Sequence, residues 1–334
     1  MPDATILILS GSDVRALLGW DDAIALVRDA MIALSAGTTR HLPRAILAME
    51  QGRAFGLMAG GLAAGPSGEG GGFGAKLISV YPENHGLGRP SHQGAVLLHD
   101  AASGALLCIA DAAEITRIRT AAASAVATAA LSRPESRVLA ILGYGAQAHA
   151  HAVAIARVRA IDDIRIWGRD PVQAQALAAR LAVELGVAAQ AAAGVAAAVA
   201  DADVVCATTA AAEPILFGRD IAPGTHVNLV GSSRDGPAEA DGELVAMSRF
   251  IADCSANVIA EGAEYRNARA AGRIGDGHIA GEIGAVLAGR VAGRTDAREV
   301  TVYKSLGHIV QDLAAIRFLD RRARAAGRGV VAPF

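Results

Sequence analysis

The chain has 334 residues, of which 52% are hydrophobic and 4% aromatic, and its formal net charge at pH 7 is −2. A chain of that length is usually too long to fold around a single hydrophobic core, so we expect two domains. The balanced charge and scarce aromatic side chains exclude a nucleic-acid-binding surface, and no apolar run reaches the length of a membrane span.

The N-terminal residues and the cysteines indicate a cytoplasmic protein. The sequence MPDATILILSGSDV at the start has no basic leader of the kind that begins a signal peptide. Cys108, Cys206 and Cys254 stand singly in apolar surroundings and form neither a metal-binding CxxC motif nor a disulfide framework. We therefore expect a reducing compartment and no metal site.

The first 110 residues predict a mixture of helices and strands. Ser12 and Asp13 offer caps for a helix that ends at Leu18, and a second helix is expected at 20–36. Strands are expected at 5–9, 45–49, 54–58 and 75–80, with a hairpin formed by 94–99 and 105–110. The glycine-rich stretch GGLAAGPSGEGGGFG, residues 60–74, predicts an exposed and mobile loop.

The rest of the chain alternates between strands and helices after a long Ala-rich helix at 114–132. Strands are expected at 138–142, 163–167, 188–190, 203–207, 226–230 and 249–252, and helices at 146–158, 171–185 and 192–200. Because this alternation requires a parallel sheet covered on both faces, we expect an α/β fold, with a Rossmann-type doubly wound domain and a second α+β domain. A last strand at 299–302 and a helix at 309–325 are expected to fold back onto the first segment.

The sequence VLAILGYGAQAHAH, residues 138–151, matches a dinucleotide-binding turn. Gly143 permits the tight turn, Gly145 lets backbone amides approach a pyrophosphate, and Ala148 permits close packing of helix on strand. The helix N-terminus adds unpaired N–H groups and the positive end of its dipole. Such turns also occur for packing reasons alone, but the alternating elements around this one favour a dinucleotide.

The end of the next strand bears on the choice of nicotinamide cofactor. NAD-selective folds place an acidic side chain there, which accepts hydrogen bonds from the adenosine ribose. In this chain IRIWGRDP places Gly168 and Arg169 at that point. A guanidinium suits a 2′-phosphate, so NADPH is favoured over NADH. The alternative is a solvated surface arginine, with Asp170 capping the helix that begins at Pro171.

The HAH sequence at 149–151 does not predict a metal site. Residues two apart on a helix point roughly 200° apart. His149 and His151 therefore cannot face one ion.

Several other stretches are not explained by a nucleotide-binding fold alone. In chain order the motifs are PSHQGAVLLHD (90–100), DAAEITRIRTAAASAVAT (111–128), ILGYGAQA (141–148), RIWGRDP (165–171), AAEPILFG (211–218), GTHVNLVGSS (224–233) and EVTVYKSLGHIVQDLAA (299–315). Together they resemble the ornithine cyclodeaminase/mu-crystallin family, from about Pro43 to Ala315. PSHQ, RIWxR, EPILFG and KSLG are closer to the mu-crystallin branch, a ketimine reductase, than to the cyclodeaminase branch.

The resemblance implies a homodimer in which each chain has two domains. Residues 1–125 with 303–334 correspond to the substrate-binding and dimerisation domain, and 126–302 to the Rossmann dinucleotide-binding domain. Hydride transfer between nicotinamide and the α-carbon of an amino acid or its imine is also implied. The matching substrate-binding positions are Arg44, Lys76, Ser91, Arg119 and Leu306. The cofactor-binding positions are Ser91, Arg119, Thr120, Gly143, Gly145, Ala146, Gln147, Arg169, Thr208, Thr209, Val230, Gly231, Ser232, Ser233 and Ser305.

The residue types agree with this chemistry. A small 2-imino or 2-keto acid must have its carboxylate clamped, so that its carbon presents one face to the nicotinamide. Arginine is the bidentate clamp, and lysine adds a point charge or a proton. Arg119 at a helix start opposes the helix dipole, and Lys76 on an apolar strand would be an unusual core residue, so both are predicted to be catalytic. Arg44 could instead be solvated. His92 either donates to the substrate, as a third catalytic residue, or satisfies a buried loop.

The acidic residues near this region have other expected roles. Asp111 and Glu114 are expected to pair with a nearby arginine or to cap the helix that follows them. The resemblance also implies a catalytic aspartate in the cyclodeaminase, at the third residue of a Gly-Gly-Asp turn. This chain has Ser233 there, and a neutral hydroxyl cannot do that proton transfer at pH 7. Asp235 is a weaker substitute, and Gly56 stands nearest to the position of the glutamate that senses the ornithine amine.

These departures favour reduction of an imine, because a protonated iminium arrives already activated for hydride addition. We therefore expect a homodimeric NAD(P)H-dependent reductase of 2-imino carboxylates, with no nucleic-acid or membrane partner. Candidate substrates are Δ1-pyrroline-2-carboxylate, piperideine-2-carboxylate and an acyclic imino acid such as iminosuccinate. The alternatives are ornithine cyclodeamination, alanine-dehydrogenase-type reductive amination, and a protein that binds a nucleotide or small ligand without turnover.

Overall fold

The computed structural model describes residues 5–63, 71–87, 89–233 and 235–334. These form two compact units: the first comprises Met1–Arg119 and His308–Phe334, and the second comprises Thr120–Gly307. The boundaries expected from the sequence, after residues 125 and 302, both fall inside the second unit. Within the described ranges no helix is long and apolar enough to cross a membrane.

The strands and helices are numbered here in chain order. The strands are β1 (Thr5–Leu9), β2 (Thr39–His41), β3 (Ala45–Ala48), β4 (Ala54–Leu62), β5 (Gly72–Val80), β6 (His92–Asp100), β7 (Leu106–Asp111), β8 (Val138–Leu142), β9 (Asp163–Trp167), β10 (Ala188–Ala191), β11 (Val204–Ala207), β12 (His226–Leu229), β13 (Arg249–Ala252), β14 (Ile279–Glu282), β15 (Thr301–Lys304) and β16 (Val330–Pro333). The helices are α1 (Gly11–Leu17), α2 (Trp20–Ser35), α3 (Ala112–Leu131), α4 (Ala146–Ile155), α5 (Pro171–Leu185), α6 (Val195–Val199), α7 (Gly242–Met247), α8 (Ser255–Glu261), α9 (Ala263–Ala270), α10 (Ile283–Leu287) and α11 (Ile309–Ala326).

The first unit contains a mixed sheet in the order β16-β1-β7-β6-β5-β4-β2, with β3 paired to β4. Its pairs are antiparallel except for β1 with β7. Helix α11 packs on one face of this sheet, as expected of the C-terminal helix. The expectation that the last strand would fold back with it is wrong, because β15 pairs with β12 and β13 in the second unit. Gly74 on β5 shows how close the packing is, because a Cβ there would lie 1.9 Å from the carbonyl oxygen of Leu97 and 3.1 Å from Leu313 on α11.

The second unit contains a sheet in the order β10-β9-β8-β11-β12-β15-β13-β14, in which every pair is parallel. The central strands β8, β11, β12, β13 and β15 are almost entirely buried on both faces, which explains the apolar runs of β8 and β11. The order of its first five strands is that of a Rossmann sheet. The predicted fold class, a Rossmann-type domain with a second α+β domain, is confirmed.

Several elements differ from the sequence expectation. Strands β4 and β5 take both ends of the glycine-rich stretch, which was expected to be loop throughout, and its residues 64–70 lie outside the described part of the chain. Ser10, not Ser12 or Asp13, caps α1, because its hydroxyl and the Asp13 carboxylate form a reciprocal capping box. The unpredicted elements are β2, β14, β16, α7, α8, α9 and α10.

Candidate active site

Most predicted cofactor residues follow the carboxyl ends of the parallel strands in the second unit. Strand β8 lies between β9 and β11, so the chain leaves β8 for one side of the sheet and later returns on its other side. Open parallel sheets bind ligands at such a switch point. Gly143 follows β8, Arg169 follows β9, Thr208 and Thr209 follow β11, Val230, Gly231, Ser232 and Ser233 follow β12, and Ser305 and Leu306 follow β15.

The turn after β8 has a geometry suited to a pyrophosphate. Gly143 has a φ of 120°, and a Cβ there would lie 2.8 Å from Oγ1 of Thr208, so the turn excludes a side chain. Gly145 has open space where a Cβ would be, and no side-chain hydrogen bond caps the first turn of α4, which begins with Ala146 and Gln147. The first-turn N–H groups of α4 therefore suit an anion.

The end of β9 combines an exposed arginine with a residue that has no side chain. Arg169 is exposed, and the Asp170 carboxylate accepts hydrogen bonds from two first-turn N–H groups of α5 at 2.9 and 3.2 Å. The capping role considered for Asp170 is therefore confirmed. A Cβ on Gly168 would lie 2.1 Å from the ring of Tyr144. The tyrosine ring thus occupies the space in which an acidic side chain would begin.

A buried glutamate joins the loops after β11 and β12. Oε1 of Glu239 accepts hydrogen bonds from N–H and Oγ1 of Thr209 at 2.6 and 2.7 Å. Its other oxygen, Oε2, accepts from N–H of Gly231 at 2.6 Å. The Thr208 hydroxyl donates to the carbonyl oxygen of Leu142 at 3.0 Å. Both threonine hydroxyls therefore donate within the protein, and Glu239 fixes the spacing of the two loops.

A second buried carboxylate and a lysine hold the next loops. Nζ of Lys304 donates to the carbonyl oxygen of Ser232 at 2.7 Å and lies 2.7 Å from Oε2 of Glu264. The Ser232 hydroxyl donates to the carbonyl oxygen of Pro237. All these groups except Pro237 are 4% exposed or less. The buried ion pair between Lys304 and Glu264 therefore fixes the main chain after β12, through the hydrogen bond from Lys304 to Ser232.

Asp253 fixes the main chain of the KSLG turn, residues 304–307. Its Oδ2 accepts hydrogen bonds from N–H of Leu306 and of Gly307, both at 2.7 Å. Burial raises the pKa of Asp253, while these hydrogen bonds oppose that shift. Ser305, in the same turn, is buried, and its Oγ has no hydrogen-bond partner among the described residues. That hydroxyl is chemically suited to a ligand contact.

In the first unit, Lys76 lies on the face of β5 that packs on α11. The side chain is 3% exposed, and Nζ lies 2.6 Å from Oγ1 of Thr116 and 3.2 Å from Oδ1 of Asp312. Burial lowers the pKa of Lys76 to about 8, and the charge of Asp312 opposes that shift. The lysine is therefore charged at pH 7 and loses its proton a short way above it.

Arg119 reaches the same carboxylate from α3. Its Nε donates to Oδ1 of Asp312 at 3.2 Å and its Nη1 donates to Oε1 of Gln311 at 2.9 Å. Arg119 is 5% exposed and Asp312 is fully buried. The structure therefore brings together two residues that were singled out separately in the sequence. Thr120, the next residue on α3, is also buried.

Three further predicted residues lie in the first unit. Arg44 is partly exposed, and its charge acts to lower the pKa of Lys76. Nδ1 of His92 lies 3.0 Å from Oγ of Ser91. His92 is exposed at its surface, and partial desolvation of its ring and then the charge of Lys76 lower its pKa. Arg44 and His92 are thus both electrostatically coupled to Lys76.

The two histidines of HAH have separate partners. Nε2 of His149 lies 2.7 Å from Glu184, whereas the buried His151 contacts the carbonyl oxygen of Gln147 and the hydroxyl of Ser124 at 2.8 and 2.9 Å. The helical spacing predicts this divergence, and the prediction is confirmed.

The acidic residues near α3 have the structural roles expected of them. Asp111 accepts a hydrogen bond from N–H of Glu114 at 2.7 Å, and the Glu114 carboxylate pairs with Arg15 at 3.1 Å and with Arg117. Asp235, considered as a substitute acid, is exposed and pairs with Arg266 at 2.6 Å.

Sequence reasoning missed Asp312, Glu239, Glu264, Asp253 and Lys304. One signal was present: the chain has 31 lysines and arginines, and only Lys76 and Lys304 are lysines. Both are almost completely buried and paired with a carboxylate. In a chain that uses arginine almost everywhere, a lysine marks a position at which a compact ammonium is needed.

Comparison with known proteins agrees with these features. The model of the ornithine cyclodeaminase/mu-crystallin family matches residues 5–327. Ketimine reductase mu-crystallin of Mus musculus is 36% identical over 73% of this chain and 74% of its own length. The structure of Thermococcus litoralis Δ1-pyrroline-2-carboxylate reductase with NADH and L-proline has a TM-score of 0.92 and 31% identity, and the match covers 97% of this chain and 99% of that one.

Iminosuccinate reductase of Paracoccus denitrificans, in complex with NAD+, has a TM-score of 0.89 and 27% identity, with 99% of this chain and 100% of that chain covered. The family match extends over nearly the whole chain and includes both units. It therefore accounts for the parallel sheet with its glycine turn as well as for the mixed sheet that carries Lys76. The chain belongs to the ornithine cyclodeaminase/mu-crystallin family.

Proposed function

We propose that the chain is an NAD(P)H-dependent reductase that converts 2-imino carboxylates to L-amino acids, with cyclic ketimines such as Δ1-pyrroline-2-carboxylate and piperideine-2-carboxylate as substrates. The observation that carries this proposal is the meeting of Lys76 and Arg119 at one buried carboxylate. The two cations carry one more positive charge than the single Asp312 carboxylate neutralises. That excess positive charge suits a substrate carboxylate. The names of the relatives specify reduction of pyrroline-2-carboxylate, ketimines and iminosuccinate.

The reaction consumes an imine, a hydride and a proton. The reduced nicotinamide supplies the hydride to the α-carbon, and the imine nitrogen gains a proton to become the amine. We assign Arg119 to the substrate carboxylate as a guanidinium clamp. Lys76 shares that carboxylate, and its pKa of about 8 also lets it exchange a proton close to neutral pH. His92 is the second candidate for proton transfer.

We assign the dinucleotide to the second unit. The turn at Gly143 and Gly145 and the first turn of α4 suit the pyrophosphate. Arg169 stands where a 2′-phosphate would be recognised, and Tyr144 fills the space of the acidic side chain that NAD-selective folds use. We therefore propose NADPH as the preferred cofactor.

We also propose a homodimer formed through the first unit. One face of its sheet, opposite to the face that packs on α11, exposes Leu47 (64%), Phe55 (40%), Leu57 (38%) and Phe73 (43%). The strand register places them on one side, since Leu47 pairs with Phe55 and Gly61 pairs with Phe73. An apolar face of this kind is typical of a protein interface. Light scattering should give a dimer, and Phe55→Lys should give a monomer.

Ornithine cyclodeamination is disfavoured by Ser233 at the position of the catalytic aspartate that the family implies. A serine hydroxyl is not a base at neutral pH. Asp235, the nearby carboxylate, pairs with Arg266 instead. Imine reduction does not need that carboxylate.

The decisive test measures the oxidation of NADPH and of NADH, from the loss of absorbance of the reduced nicotinamide, with a panel of substrates. The panel contains Δ1-pyrroline-2-carboxylate, piperideine-2-carboxylate, iminosuccinate, and pyruvate with ammonia. We expect oxidation of NADPH with at least one cyclic imine. Turnover with pyruvate and ammonia alone would indicate an alanine-dehydrogenase-type enzyme. Nucleotide binding with no turnover on any compound would identify a binding protein and overturn the proposal.

A further inference from the structure

Asp312, in the first turn of α11, is the point at which Lys76 and Arg119 meet. A single oxygen, Oδ1, lies 3.2 Å from Nζ of Lys76 and 3.2 Å from Nε of Arg119. The three groups come from β5, α3 and α11, and each is 5% exposed or less. The other oxygen, Oδ2, accepts no hydrogen bond from the described residues. Asp312 is therefore the one carboxylate in the described contacts that pairs with both cations, while α3 carries Arg119 and also contacts Lys76 through Thr116.

The charges of this trio do not cancel. Two cations and one carboxylate leave one positive charge on side chains that are each 5% exposed or less. An uncompensated buried charge is costly, and buried ion pairs contribute little to stability even when they are balanced. The arrangement is therefore poorly explained as a device for stability. It is well explained as a site that one further negative charge completes.

We propose that Asp312 is a positioning residue that holds the Lys76 ammonium and the Arg119 guanidinium together and leaves the pair with a single net positive charge, matched to a substrate with one carboxylate. This inference rests on the proposed function and narrows its substrate class. It favours cyclic ketimine monocarboxylates over dicarboxylates such as iminosuccinate. Arg44 adds a further cation outside the trio; it is partly exposed, so its charge acts on Lys76 less than that of Arg119 does.

The same contact bears on the protonation of Lys76. Burial, Arg119 and Arg44 favour loss of its proton, whereas Asp312 favours its retention. His92 also senses Lys76, whose charge acts to lower the pKa of the imidazole. Asp312 is thus the one carboxylate among the described residues that supports the charged lysine. Removal of its charge should release the Lys76 proton at a lower pH.

The lysine content of this chain permits a direct test. Since Lys76 and Lys304 are its only lysines, labelling lysine with ¹³C at Cε gives two NMR signals in the full-length protein. The variants are Asp312→Asn, which raises the net charge of the trio by one, and Gln311→Glu, which lowers it by one beside Arg119. The matched control is Asp320→Asn, a buried acid on the same helix that pairs with Arg324 at 2.9 Å.

We expect the Lys76 signal to titrate at lower pH in Asp312→Asn, by roughly one pH unit or more, and at higher pH in Gln311→Glu. Asp320→Asn should leave it unchanged. Unaltered titration of Lys76 in Asp312→Asn would overturn the inference. If Asp312→Asn does not fold, the direction of the shift in Gln311→Glu decides the question alone.

The charge match is tested with two planar probes, pyrrole-2-carboxylate and pyrrole-2,5-dicarboxylate, by titration calorimetry. Wild type should prefer the monocarboxylate. Asp312→Asn should shift the ratio of affinities toward the dicarboxylate, and Gln311→Glu should bind the monocarboxylate roughly tenfold more weakly or worse. Equal ratios in all three proteins would contradict the charge match. Neither measurement needs turnover. If the protein reduces no imino acid, the proposed function is wrong, but the two measurements still test the role of Asp312.

Discussion

The Tyr144 ring lies against Gly168, so closely that a Cβ on Gly168 would fall 2.1 Å from the ring. The two residues follow the neighbouring parallel strands β8 and β9. NAD-selective folds need an acidic side chain at the end of the second strand, and here the tyrosine fills its space. Tyr144 and Gly168 therefore leave no room at this point for an acidic side chain that could bind the adenosine ribose. Arg169 is the cation that follows at the end of β9.

Arg169→Ala should weaken NADPH binding much more than NADH binding. A guanidinium contributes charge-assisted hydrogen bonds to a 2′-phosphate, and their loss corresponds to a roughly 10- to 100-fold higher Kd for NADPH. Fluorescence titration of both reduced cofactors measures the effect. Arg180→Ala is the control, because Arg180 is an exposed arginine on α5 that pairs with Glu184. Equal losses for both cofactors would reverse the proposed preference.

Lys76→Ala should lower kcat/KM for imine reduction by at least ~100-fold and leave the Kd of the cofactor almost unchanged. The variant loses the charge that we assign to the substrate carboxylate, while the nucleotide turn lies in the other unit. In the wild type, kcat/KM should fall above pH 8, where the Lys76 ammonium loses its proton. Lys76→Arg should abolish that decline, since arginine stays charged. Rates in Lys76→Ala close to wild type would remove this residue from the site.

The parts of the fold that repeat a strong pattern were predictable from the sequence. The apolar runs and the turn at Gly143 were sufficient for β8 and β11, because parallel strands buried on both faces have near-continuous apolar sequences. For β9 the alternation of apolar and polar residues served instead. Helices α7 to α10 were missed because none exceeds eight residues, which is too short for a helical period to appear.

The candidate site was predictable only in part, for a different reason. Lys76 and Arg119 are conspicuous as cations in apolar segments. Asp312 is not conspicuous, because its contact with Lys76 spans 236 positions of the chain and no local pattern reports it. Glu239 was hidden for a similar reason, since Thr209, which follows β11, lies 30 positions away and Gly231 lies eight positions away, with no local pattern that joins them.

Glu239→Gln should loosen the loops after β11 and β12. The carboxylate accepts from Thr209 on one oxygen and from Gly231 on the other, and an amide would present a donor to one of them. A buried donor left without an acceptor costs about 1–3 kcal/mol in the free energy of unfolding. We expect that loss in denaturant unfolding, together with weaker NADPH binding. Glu243→Gln, at an exposed position on α7, is the control. A Glu239→Gln protein with wild-type nucleotide affinity would show that these loops do not hold the cofactor.

L-Ornithine incubated with NAD+ or NADP+ should release no ammonia. The family resemblance implies an acid/base aspartate at the position of Ser233, and a serine hydroxyl cannot accept the proton at neutral pH. A coupled ammonia assay measures the outcome over several hours. Ser233→Asp is the informative partner variant, because it restores a carboxylate there. Ammonia release by the wild type at a rate similar to that of imine reduction would restore the cyclodeaminase interpretation.

The stability of the second unit should fall as the pH drops below about 6.5, and His151 is one cause. The ring is fully buried, with Nδ1 2.8 Å from the carbonyl oxygen of Gln147 and Nε2 2.9 Å from the Ser124 hydroxyl. The carbonyl requires a donor at Nδ1, so the neutral ring donates there and accepts at Nε2. Burial lowers the pKa of His151 to about 4, from an ordinary value of 6.5.

Between these two values the unfolded chain binds a proton that the folded ring does not. The stabilisation is therefore complete above pH 6.5 and is lost as the pH falls toward 4, with a slope of up to about 1.4 kcal/mol per pH unit for one such ring. Burial lowers the pKa of His226 as well, to about 3, so the two rings act in the same direction. Urea unfolding at pH 7, 6 and 5 measures the slope, and His151→Gln should reduce it because one of the two protons is then no longer taken up on unfolding. A slope in the variant equal to that of the wild type would show that His151 is already protonated in the folded protein.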